Sequence, residues 1–445
     1  MTTNKKFQYL FFFFISLLSF LNAGNSNLYI QINFILLNVL LIYCLKNKNY
    51  FAHLKSFILK NKISIYFFLL FISYLIFQII PIPIGLLKIF SSEKYFLLKT
   101  MGYDSGFFAL NFSPSNAYFQ ILNYLSIFAC VLLIKMIFYN ERHIYRFYFF
   151  LALLGAFHSS IAVFLYLNGN PDILFINNFY YKDSSTGFFV NRTIFSIFLL
   201  LCLISALEYL KNIDLINLSK KKDYFFYKIY TRIFILFITI GIITTFSKLG
   251  NFLMLVTVFI YLIHNFLIKK NINKIFGVIL LLIILLDIFI MGFFFGGDKL
   301  IDRYLFLNED LTIDNSTTSF SRLEIIYFSI NQIKDFLLFG YGAGGFEEVF
   351  KLKFVNPTSL YANHAHSDLF EFIGEFGVLG FIFFILSFFK IFLLRKNYNV
   401  KFIILLIIGL TIILFDFSLH IPLVQILFII LIMLNLKNQK NKFIR

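Results

Sequence analysis

Residues 193–210 have the sequence TIFSIFLLLCLISALEYL, and this stretch decides the class of fold. Its single charged residue is Glu208. An α-helix rises about 1.5 Å per residue, so these residues reach nearly the ~30 Å thickness of the hydrocarbon core of a bilayer. The stretch therefore predicts a helix that crosses a membrane.

The rest of the chain has the same character. Of its 445 residues, 60% are hydrophobic and 14% are charged, and the mean hydropathy is +0.84. A soluble domain carries about 25% charged residues. The composition therefore excludes a soluble enzyme and predicts an all-α, polytopic helix bundle in the lipid bilayer. In a soluble protein, the net charge of +17 would suggest binding to nucleic acid. In a membrane protein, positive charge sets the orientation in the bilayer. We therefore expect no nucleic-acid partner.

Apolar blocks between polar breaks predict about twelve transmembrane helices. These spans are 7–23, 28–45, 63–81, 118–134, 147–167, 193–210, 231–247, 250–268, 275–296, 373–389, 402–415 and 420–436. The first span also fits a cleaved signal peptide, but we favour a retained helix because a second span follows within five residues.

Lys and Arg set the orientation. Connections predicted to be cytoplasmic hold 27 of the 39 basic residues in 84 positions, whereas the outer connections hold 12 in 141 positions. Basic residues concentrate on the cytoplasmic side of bacterial membrane proteins, so both termini are predicted to be cytoplasmic.

This topology divides the chain into three parts. Residues 1–296 form spans one to nine, with outer loops at 82–117 and 168–192. Residues 297–372 form one large periplasmic loop that contains short helices. Residues 373–445 form the last three spans and a basic cytoplasmic tail.

The function of such a protein lies in polar residues that the bilayer does not require. The outward-facing ones near helix ends are few, and the topology puts them all on one side. They are Arg192, Lys248, Arg322, His364, His366, Asp368, Asp416 and His420.

Arg322 lies in the first turn of a predicted helix. Ser321 and Glu324 form a capping-box pattern that opens this helix. Its apolar face is predicted to be Leu323, Ile326, Ile330 and Ile333. A helix N-terminus with an arginine is suited to bind an anion. An ordinary capped surface helix with a solvated arginine is the alternative.

The loop Gly340-Tyr341-Gly342-Ala343-Gly344-Gly345-Phe346 follows this helix. Glycines let the backbone approach a phosphate closely, although this is neither a Walker loop nor a dinucleotide fingerprint. A tight turn is an equally good interpretation.

The segment Asn363-His364-Ala365-His366-Ser367-Asp368 ends the large loop. A helix N-terminus disfavours the imidazolium, so His364 or His366 would be available as a general base near neutral pH. A metal site and a purely structural role are the alternatives. We expect no metal, because no further acidic or Cys ligand cluster is evident nearby.

Arg192 and Lys248 each stand where a span begins on the outer side. Either could be an anchor that reaches up to the lipid headgroups. Together with Arg322, however, they would supply three cations, which suits a doubly charged phosphate ester.

These motifs resemble the O-antigen ligase/polymerase superfamily. The resemblance rests on Ser321-Arg322, the spaced glycines Gly340, Gly342 and Gly345, His364-Ala-His366-Ser-Asp368, and Glu375-x-Gly377-x-x-Gly380. Supporting matches are Gln78-Ile-Ile-Pro81-Ile-Pro83, Gly187-x-Phe189-x-Asn191-Arg192, Thr245-x-Ser247-Lys248-x-Gly250 and Asp416-Phe-x-x-x-x-Pro422. Lys248 stands where the family usually has arginine, and Asn191-Arg192 replaces a commoner Asn-x-Asn pattern.

The resemblance implies a multi-pass glycosyltransferase of the bacterial inner membrane with its active site facing the periplasm. Such enzymes use an undecaprenyl-diphosphate-linked glycan as donor and need no cofactor or metal. The acceptor is lipid A–core, another glycan or a protein. Lipopolysaccharide biosynthesis by O-antigen ligation is the favoured function. O-antigen or other polysaccharide polymerisation and protein O-oligosaccharyl transfer are the alternatives.

We therefore expect a site in which Arg322 and Arg192, helped by Lys248, bind the donor diphosphate. His366 or His364 would accept the proton of the acceptor hydroxyl, and Asp368 and Asp416 would support these groups. The three loop glycines, Gly340, Gly342 and Gly345, would shape the backbone beside them. A polysaccharide flippase or exporter is a remoter alternative, since it would line intramembrane cavities with charge.

Overall fold

The computed structural model describes residues 3–172, 181–213, 221–268, 274–305, 321–354, 361–393 and 399–434, which are mostly helical. In chain order, the helices are α1 (Thr3–Phe20), α2 (Asn27–Leu45), α3 (Lys48–Lys60), α4 (Lys62–Ile79), α5 (Ile84–Phe90), α6 (Ser92–Thr100), α7 (Pro114–Ile137), α8 (Glu141–Leu167), α9 (Arg192–Asn212), α10 (Lys221–Thr244), α11 (Lys248–Ile263), α12 (Lys274–Leu305), α13 (Arg322–Asp335), α14 (Phe346–Lys353), α15 (Asp368–Leu393), α16 (Val400–Phe415) and α17 (Pro422–Met433). The predicted all-α class is confirmed.

Each predicted span coincides with one of these helices. Within the described residues, eight helices are long and apolar enough to cross a membrane, which confirms a multi-pass membrane protein. They are α2, α4, α7, α8, α9, α10, α11 with its continuation, and α15. The apolar helices α16 and α17 have 16 and 12 residues, shorter than a simple crossing needs. The count of twelve crossings stays a prediction.

Helix α9 lies at the centre of the bundle. Its residues 194–210 are all buried, and it packs against α8, α10, α11 and α17. A helix that is apolar on every side must be surrounded in this way to be stable. Glu208 is its buried carboxylate, and the Tyr261 hydroxyl donates a hydrogen bond to it at 2.9 Å.

The segment between α4 and α7 folds into α5, α6 and a two-stranded sheet. Two short strands, β1 (Ile82–Pro83) and β2 (Phe107–Phe108), pair antiparallel. Lys94 of α6 is buried and donates to the Asn111 carbonyl at 2.7 Å, above the ring of Phe112 at 4.4 Å. Burial lowers the pKa of Lys94 to about 8. This loop is therefore fixed against the protein through a buried lysine.

Helix α13 has the predicted capping box but buries a different face. Its buried residues are Ile325, Phe328, Ser329 and Gln332. The predicted apolar face of Leu323, Ile326, Ile330 and Ile333 is half-buried. Phe328 packs against Phe350 of α14, with ring centroids 5.1 Å apart. Helix α13 also packs against α15, so its neighbours in the folded protein determine which face is buried.

Candidate functional site

Several connections meet at one end of the bundle. The turn after α1 touches the start of α9, because the Val190 amide donates to Asn22 Oδ1 at 3.0 Å. The start of α15 touches the end of α16, because the Asp368 amide donates to the Asp416 carbonyl at 3.1 Å. The predicted functional residues stand on these connections and on the elements beside them.

The glycine-rich loop lies against the first turns of α15. The amides of Tyr341 and Gly342 donate to the carbonyls of Gly374 and Glu375, at 2.9 and 3.0 Å. Gly340 and Gly342 have φ of +69° and +99°, a conformation that favours glycine. The loop therefore binds α15 through its backbone.

Helix α4 and the segment between α4 and α7 contact the glycine-rich loop from the other side. Gln78 Nε2 donates to the Phe339 carbonyl at 2.8 Å, and Gln78 Oε1 accepts from the Ala343 amide at 3.3 Å. A Cβ at Gly342 would lie 2.2 Å from Cγ of Asn111. This contact leaves no room for a side chain at residue 342.

The amides of this loop are engaged within the protein. The Gly345 amide donates to the Gly342 carbonyl at 3.0 Å. The amides of Gly344 and Phe346 donate to the carboxylate of Glu375. Of the two interpretations of the sequence, the geometry therefore fits the tight turn rather than a phosphate-binding loop.

Three buried carboxylates share one face of α15. Asp368, Glu371 and Glu375 are spaced by three and four residues and are at most 2% exposed. The ring of His420, which is 8% exposed, lies beside them. Its Nδ1 contacts Asp368 Oδ1, and its Nε2 lies 3.3 Å from Glu371 Oε1.

His364 joins the same cluster. Its Nδ1 lies 2.9 Å from Glu371 Oε1, and the Ala365 amide donates to the other oxygen of Glu371 at 2.7 Å. Glu371 thus fixes both the ring of His364 and the backbone beside it. A carboxylate in this position orients an imidazole and selects which nitrogen carries the proton.

The electrostatics of the cluster favour a charged His420. Burial alone lowers the pKa of His420, but the carboxylates of Glu371 and Asp368 outweigh it and raise the pKa to about 10. His420 is therefore an imidazolium at neutral pH and compensates part of the buried negative charge.

The two histidines of the predicted motif contact opposite parts of Phe417. The ring of His364 stacks on it at 4.8 Å, and the ring of His366 meets it edge-on at 5.4 Å. His366 has φ of +55°, which is uncommon for a residue with a side chain. Phe417 therefore spaces the two imidazoles on one wall of the site.

Arg322 is the first residue of α13, and its side chain is exposed. The capping box is present: the Ser321 amide donates to Glu324 Oε2 at 2.7 Å. Burial raises the pKa of Asp416 above its usual value, and the Ser418 hydroxyl and the Arg322 guanidinium oppose that rise. Arg322 is therefore near the turn that carries Phe417.

Arg192 and Lys248 open two neighbouring helices, α9 and α11. The Ser247 hydroxyl donates to Thr193 Oγ1 at 3.3 Å, which ties the two N-termini together. The guanidinium of Arg192 lies 5.3 Å from the centre of the Tyr181 ring. The two cations therefore belong to one pair of adjacent helix starts, where the helix dipoles add positive potential.

Two cavities open at this end of the bundle and share a wall made of Asn25, Asn363 and His364. The first, which we call the histidine cavity, has a volume of about 360 Å³. It is further lined by Asn22, Phe189, Val190, Asn191, Ile194, Tyr361, Ala362, His366, Phe417 and Ile421. It therefore connects the histidine motif with the residue before Arg192.

The second, which we call the amide cavity, has a volume of about 270 Å³. It is further lined by Ser26, Asn27, Ile30, Asn116, Phe119, Gln120, Asn123, Gly344, Phe346, Glu347, Glu371, Glu375, His420 and Pro422. Neither cavity has a lysine or arginine among its lining residues, but Glu347, Glu371 and Glu375 line the amide cavity and no acidic residue lines the histidine cavity. The two cavities therefore differ in their acidic groups.

The role of the Glu371 carboxylate and the pairing of His420 with Asp368 were not predicted from the sequence. One signal was present: three carboxylates at helical spacing in the first turns of an apolar span. Such residues are costly in a membrane and mark polar networks. The pairing with His420, 52 residues from Asp368, required the tertiary structure.

The prediction that no acidic ligand cluster lies near the histidines is wrong. His364, Glu371 and His420 each offer a ligand atom, and these atoms lie within 4.8 Å of one another. Asp368 supports His420 from behind, as carboxylates do for metal-binding histidines. Two imidazoles and one carboxylate could hold a divalent metal ion. The same contacts also form an ion-paired network without one.

The fold and site define a class: a multi-pass helical membrane protein with a histidine–carboxylate cluster and nearby cations at one end of the bundle. A family model described as O-antigen ligase matches residues 233–385 of the chain. This match confirms the resemblance to the O-antigen ligase superfamily and supports a membrane enzyme of the ligase or polymerase type. No curated protein matches the chain.

Proposed function

We propose that this protein transfers a glycan from undecaprenyl diphosphate to lipid A–core, the O-antigen ligation step of lipopolysaccharide biosynthesis. One observation carries the proposal: His364 and His366 line a cavity that also contains Asn191, the residue before Arg192. A candidate general base and the N-terminus of α9, which carries Arg192, therefore adjoin the same cavity. The family match, which includes both histidines, supports the reaction class.

The leaving group of this reaction is a lipid diphosphate, which departs readily once its charge is neutralised. Arg322, Arg192 and Lys248 are the cations that we assign to it. Each charge-assisted hydrogen bond is worth about 1.5–3 kcal/mol. Arg192 and Lys248 act from the paired helix starts, and Arg322 acts from α13 near Asp416.

His366 acts as the general base. It accepts the proton of the acceptor hydroxyl while the hydroxyl oxygen bonds to the anomeric carbon of the donor sugar. The bond from that carbon to the diphosphate oxygen breaks, and its electron pair leaves with undecaprenyl diphosphate. A single displacement of this kind inverts the anomeric configuration, and it requires no metal or cofactor.

His366 is preferred over His364 for this role on the basis of backbone conformation and contacts. Its φ of +55° is a conformation that proteins retain mainly where function or packing requires it. His364 is hydrogen-bonded to Glu371 at Nδ1 and stacks on Phe417, which suits it to position the groups around it.

We further propose that the protein lies in the bacterial inner membrane with about twelve spans and with residues 297–372 as its large periplasmic loop. The excess of Lys and Arg in the predicted cytoplasmic connections supports cytoplasmic termini and a periplasmic site. An undecaprenyl donor fits this placement, because its chain lies in lipid while its diphosphate reaches the membrane surface.

Deletion of the gene, followed by electrophoresis of the glycolipids, tests the acceptor. Loss of all long chains from lipid A–core is the expected result for a ligase. A core that carries a single repeat unit would show a polymerase instead. Intact lipopolysaccharide together with an unmodified glycoprotein would show protein glycosylation.

Point variants test the catalytic roles in the complemented deletion strain. His366→Ala should reduce transfer about 10²–10⁴-fold, the usual contribution of a general base. Arg322→Ala should reduce it about 10²–10³-fold, as expected for one charge-stabilising group.

His53→Ala and Arg142→Ala are matched controls, because both side chains are exposed and stand near the opposite end of α7. Full transfer by His366→Ala at normal protein levels would contradict the proposed chemistry and favour a flippase or exporter.

A further inference from the structure

The amide cavity differs from the histidine cavity in the residues that line it. Its side-chain amides belong to the loop after α1, to the start of α2, to the first three turns of α7 and to the histidine segment. They are Asn25, Asn27, Asn116, Gln120, Asn123 and Asn363. A primary amide both donates and accepts hydrogen bonds, as a sugar hydroxyl does.

Two polar atoms in the wall lack a hydrogen-bond partner among the described residues. Oδ1 of Asn123 is one of them, and Asn123 is 2% exposed. Its Nδ2 donates to Gln425 Oε1 at 2.7 Å, so the orientation of the amide is fixed. Nε2 of His420 is the other, although it lies 3.3 Å from a carboxylate oxygen of Glu371.

A buried polar atom without a partner is costly, and native proteins usually satisfy it with water or a ligand. Oδ1 of Asn123 offers an acceptor, and Nε2 of His420 offers a second polar atom without a partner. A hydroxyl group can serve both atoms, because it donates one hydrogen bond and accepts others.

The charge of the wall selects against anions. Glu347 and Glu371 contribute carboxylates to this wall, whereas no acidic residue lines the histidine cavity; neither cavity has a lysine or arginine in its described lining. A diphosphate would be repelled here. Phe119 and Phe346 add aromatic surface to the same wall, which suits the apolar face of a pyranose ring.

The size also fits. A volume of about 270 Å³ is roughly nine times the ~30 Å³ share of one water molecule in the liquid. This is the space of a sugar ring rather than of a single ion. The shared wall of Asn25, Asn363 and His364 places such a ring next to the histidine cavity.

We infer that the amide cavity is the acceptor subsite and binds an uncharged pyranose through Asn123, Gln120 and His420. The inference rests on the proposed glycosyl transfer and adds the class of acceptor sugar and its location. The donor diphosphate occupies the histidine cavity, and the acceptor hydroxyl reaches it past His364.

Saturation-transfer NMR on the full-length protein in nanodiscs tests this subsite. The probes are methyl β-D-glucopyranoside and its anionic counterpart, methyl β-D-glucopyranosiduronate. The neutral glucoside should give a transfer signal that falls at least fivefold in Asn123→Leu, and the anionic probe should give a weaker signal than the neutral one in the wild type.

Gln120→Leu is the second variant, since it removes an amide of the wall without breaking the bond from Asn123 to Gln425. Asn38→Leu is the matched control, because it removes a half-buried helix amide of α2 that lies outside both cavities. A glucoside signal that is absent from the wild type, or unchanged in both wall variants, would overturn the inference.

Binding of undecaprenyl diphosphate separates this inference from the proposed function. It should fall at least fivefold in Arg192→Gln and stay within twofold of wild type in Asn123→Leu and Gln120→Leu. The glucoside signal should show the opposite pattern. Loss of diphosphate binding in Gln120→Leu would mean that the amide cavity holds the donor, which would also overturn the assignment. Absence of diphosphate binding by the wild type would count against the glycosyl-transfer proposal alone.

Discussion

The Nδ1 atom of His364 lies 2.9 Å from Oε1 of Glu371, which joins the histidine segment to the first turn of α15. The other oxygen of Glu371 accepts the Ala365 amide at 2.7 Å. One carboxylate therefore fixes a ring and the backbone next to it. Five testable predictions follow from this cluster and from the elements that surround it.

Glu371→Gln should reduce glycan transfer at least tenfold while the protein remains in the membrane at normal levels. The amide cannot accept from both His364 and Ala365, so the histidine segment loses its fixed orientation. Transfer is measured by glycolipid electrophoresis in the complemented deletion strain. Because Glu371 acts through His364, the pH profile of the remaining activity should also shift. Glu348→Gln, on the exposed side of α14, is the matched control and should transfer normally.

Lys248→Arg should retain or improve transfer, and Lys248→Gln should raise the apparent KM for the donor. Arginine binds phosphate with two parallel hydrogen bonds, whereas glutamine removes the charge. Lys48→Gln is the control: Lys48 is also exposed and is also the first residue of a helix, α3, near the other end of α7. An unchanged KM in Lys248→Gln would exclude Lys248 from the diphosphate site.

The free energy of unfolding should depend on pH because His420 titrates with a different pKa in the folded and unfolded protein. Its pKa is about 10 in the folded protein and about 6.5 when unfolded. The contribution of the charged ring is therefore complete below about pH 6.5 and is lost as the pH rises through about 10. The difference in unfolding free energy between wild type and His420→Gln should shrink by at most about 1.4 kcal/mol per pH unit between these values. Denaturant unfolding in detergent from pH 6 to pH 10.5 measures it, and a difference that is constant with pH would contradict the assigned charge.

Gly342→Ala should destabilise the protein by more than the backbone conformation alone explains. The new Cβ would lie 2.2 Å from Asn111, and overpacking costs about 1–3 kcal/mol in addition to about 1–2 kcal/mol for the left-handed conformation. Gly102→Ala is the matched control, since Gly102 has φ of +87° and no atom within 4 Å of the added Cβ. Thermal unfolding in detergent compares the two variants. Equal losses of stability in the two variants would mean that Asn111 moves away from the new Cβ without a cost in free energy.

Chelation should leave transfer unchanged. The proposed mechanism uses cationic side chains and an imidazole, so removal of divalent metals with EDTA should have no effect on membranes or purified protein. Loss of transfer that zinc or manganese restores would instead make His364, Glu371 and His420 a metal site. Metal analysis of the purified protein provides an independent measurement.

Local patterns determined much of the site. The capping box at Ser321 and Glu324 was predictable, because it depends on residues three positions apart. The buried face of α13 was not, because the choice depends on packing against α15 and on the contact with Phe350 of α14. The pairing of His420 with Asp368 was also beyond sequence patterns, because it joins two helix ends that are adjacent only in the folded bundle.

The sequence by itself determined the class of protein, the positions of the twelve long apolar segments and the residue types available for chemistry. These properties follow from hydrophobicity and helical spacing, which act over one or two turns of the chain. Only the tertiary structure decided which charged side chains lie close together. It placed His364 against Glu371, His420 against three carboxylates, and Asn191, the residue before Arg192, in the wall of a cavity that contains His366. Electrostatic contacts of this kind depend on distances between residues far apart in the chain, and packing of the helices sets those distances.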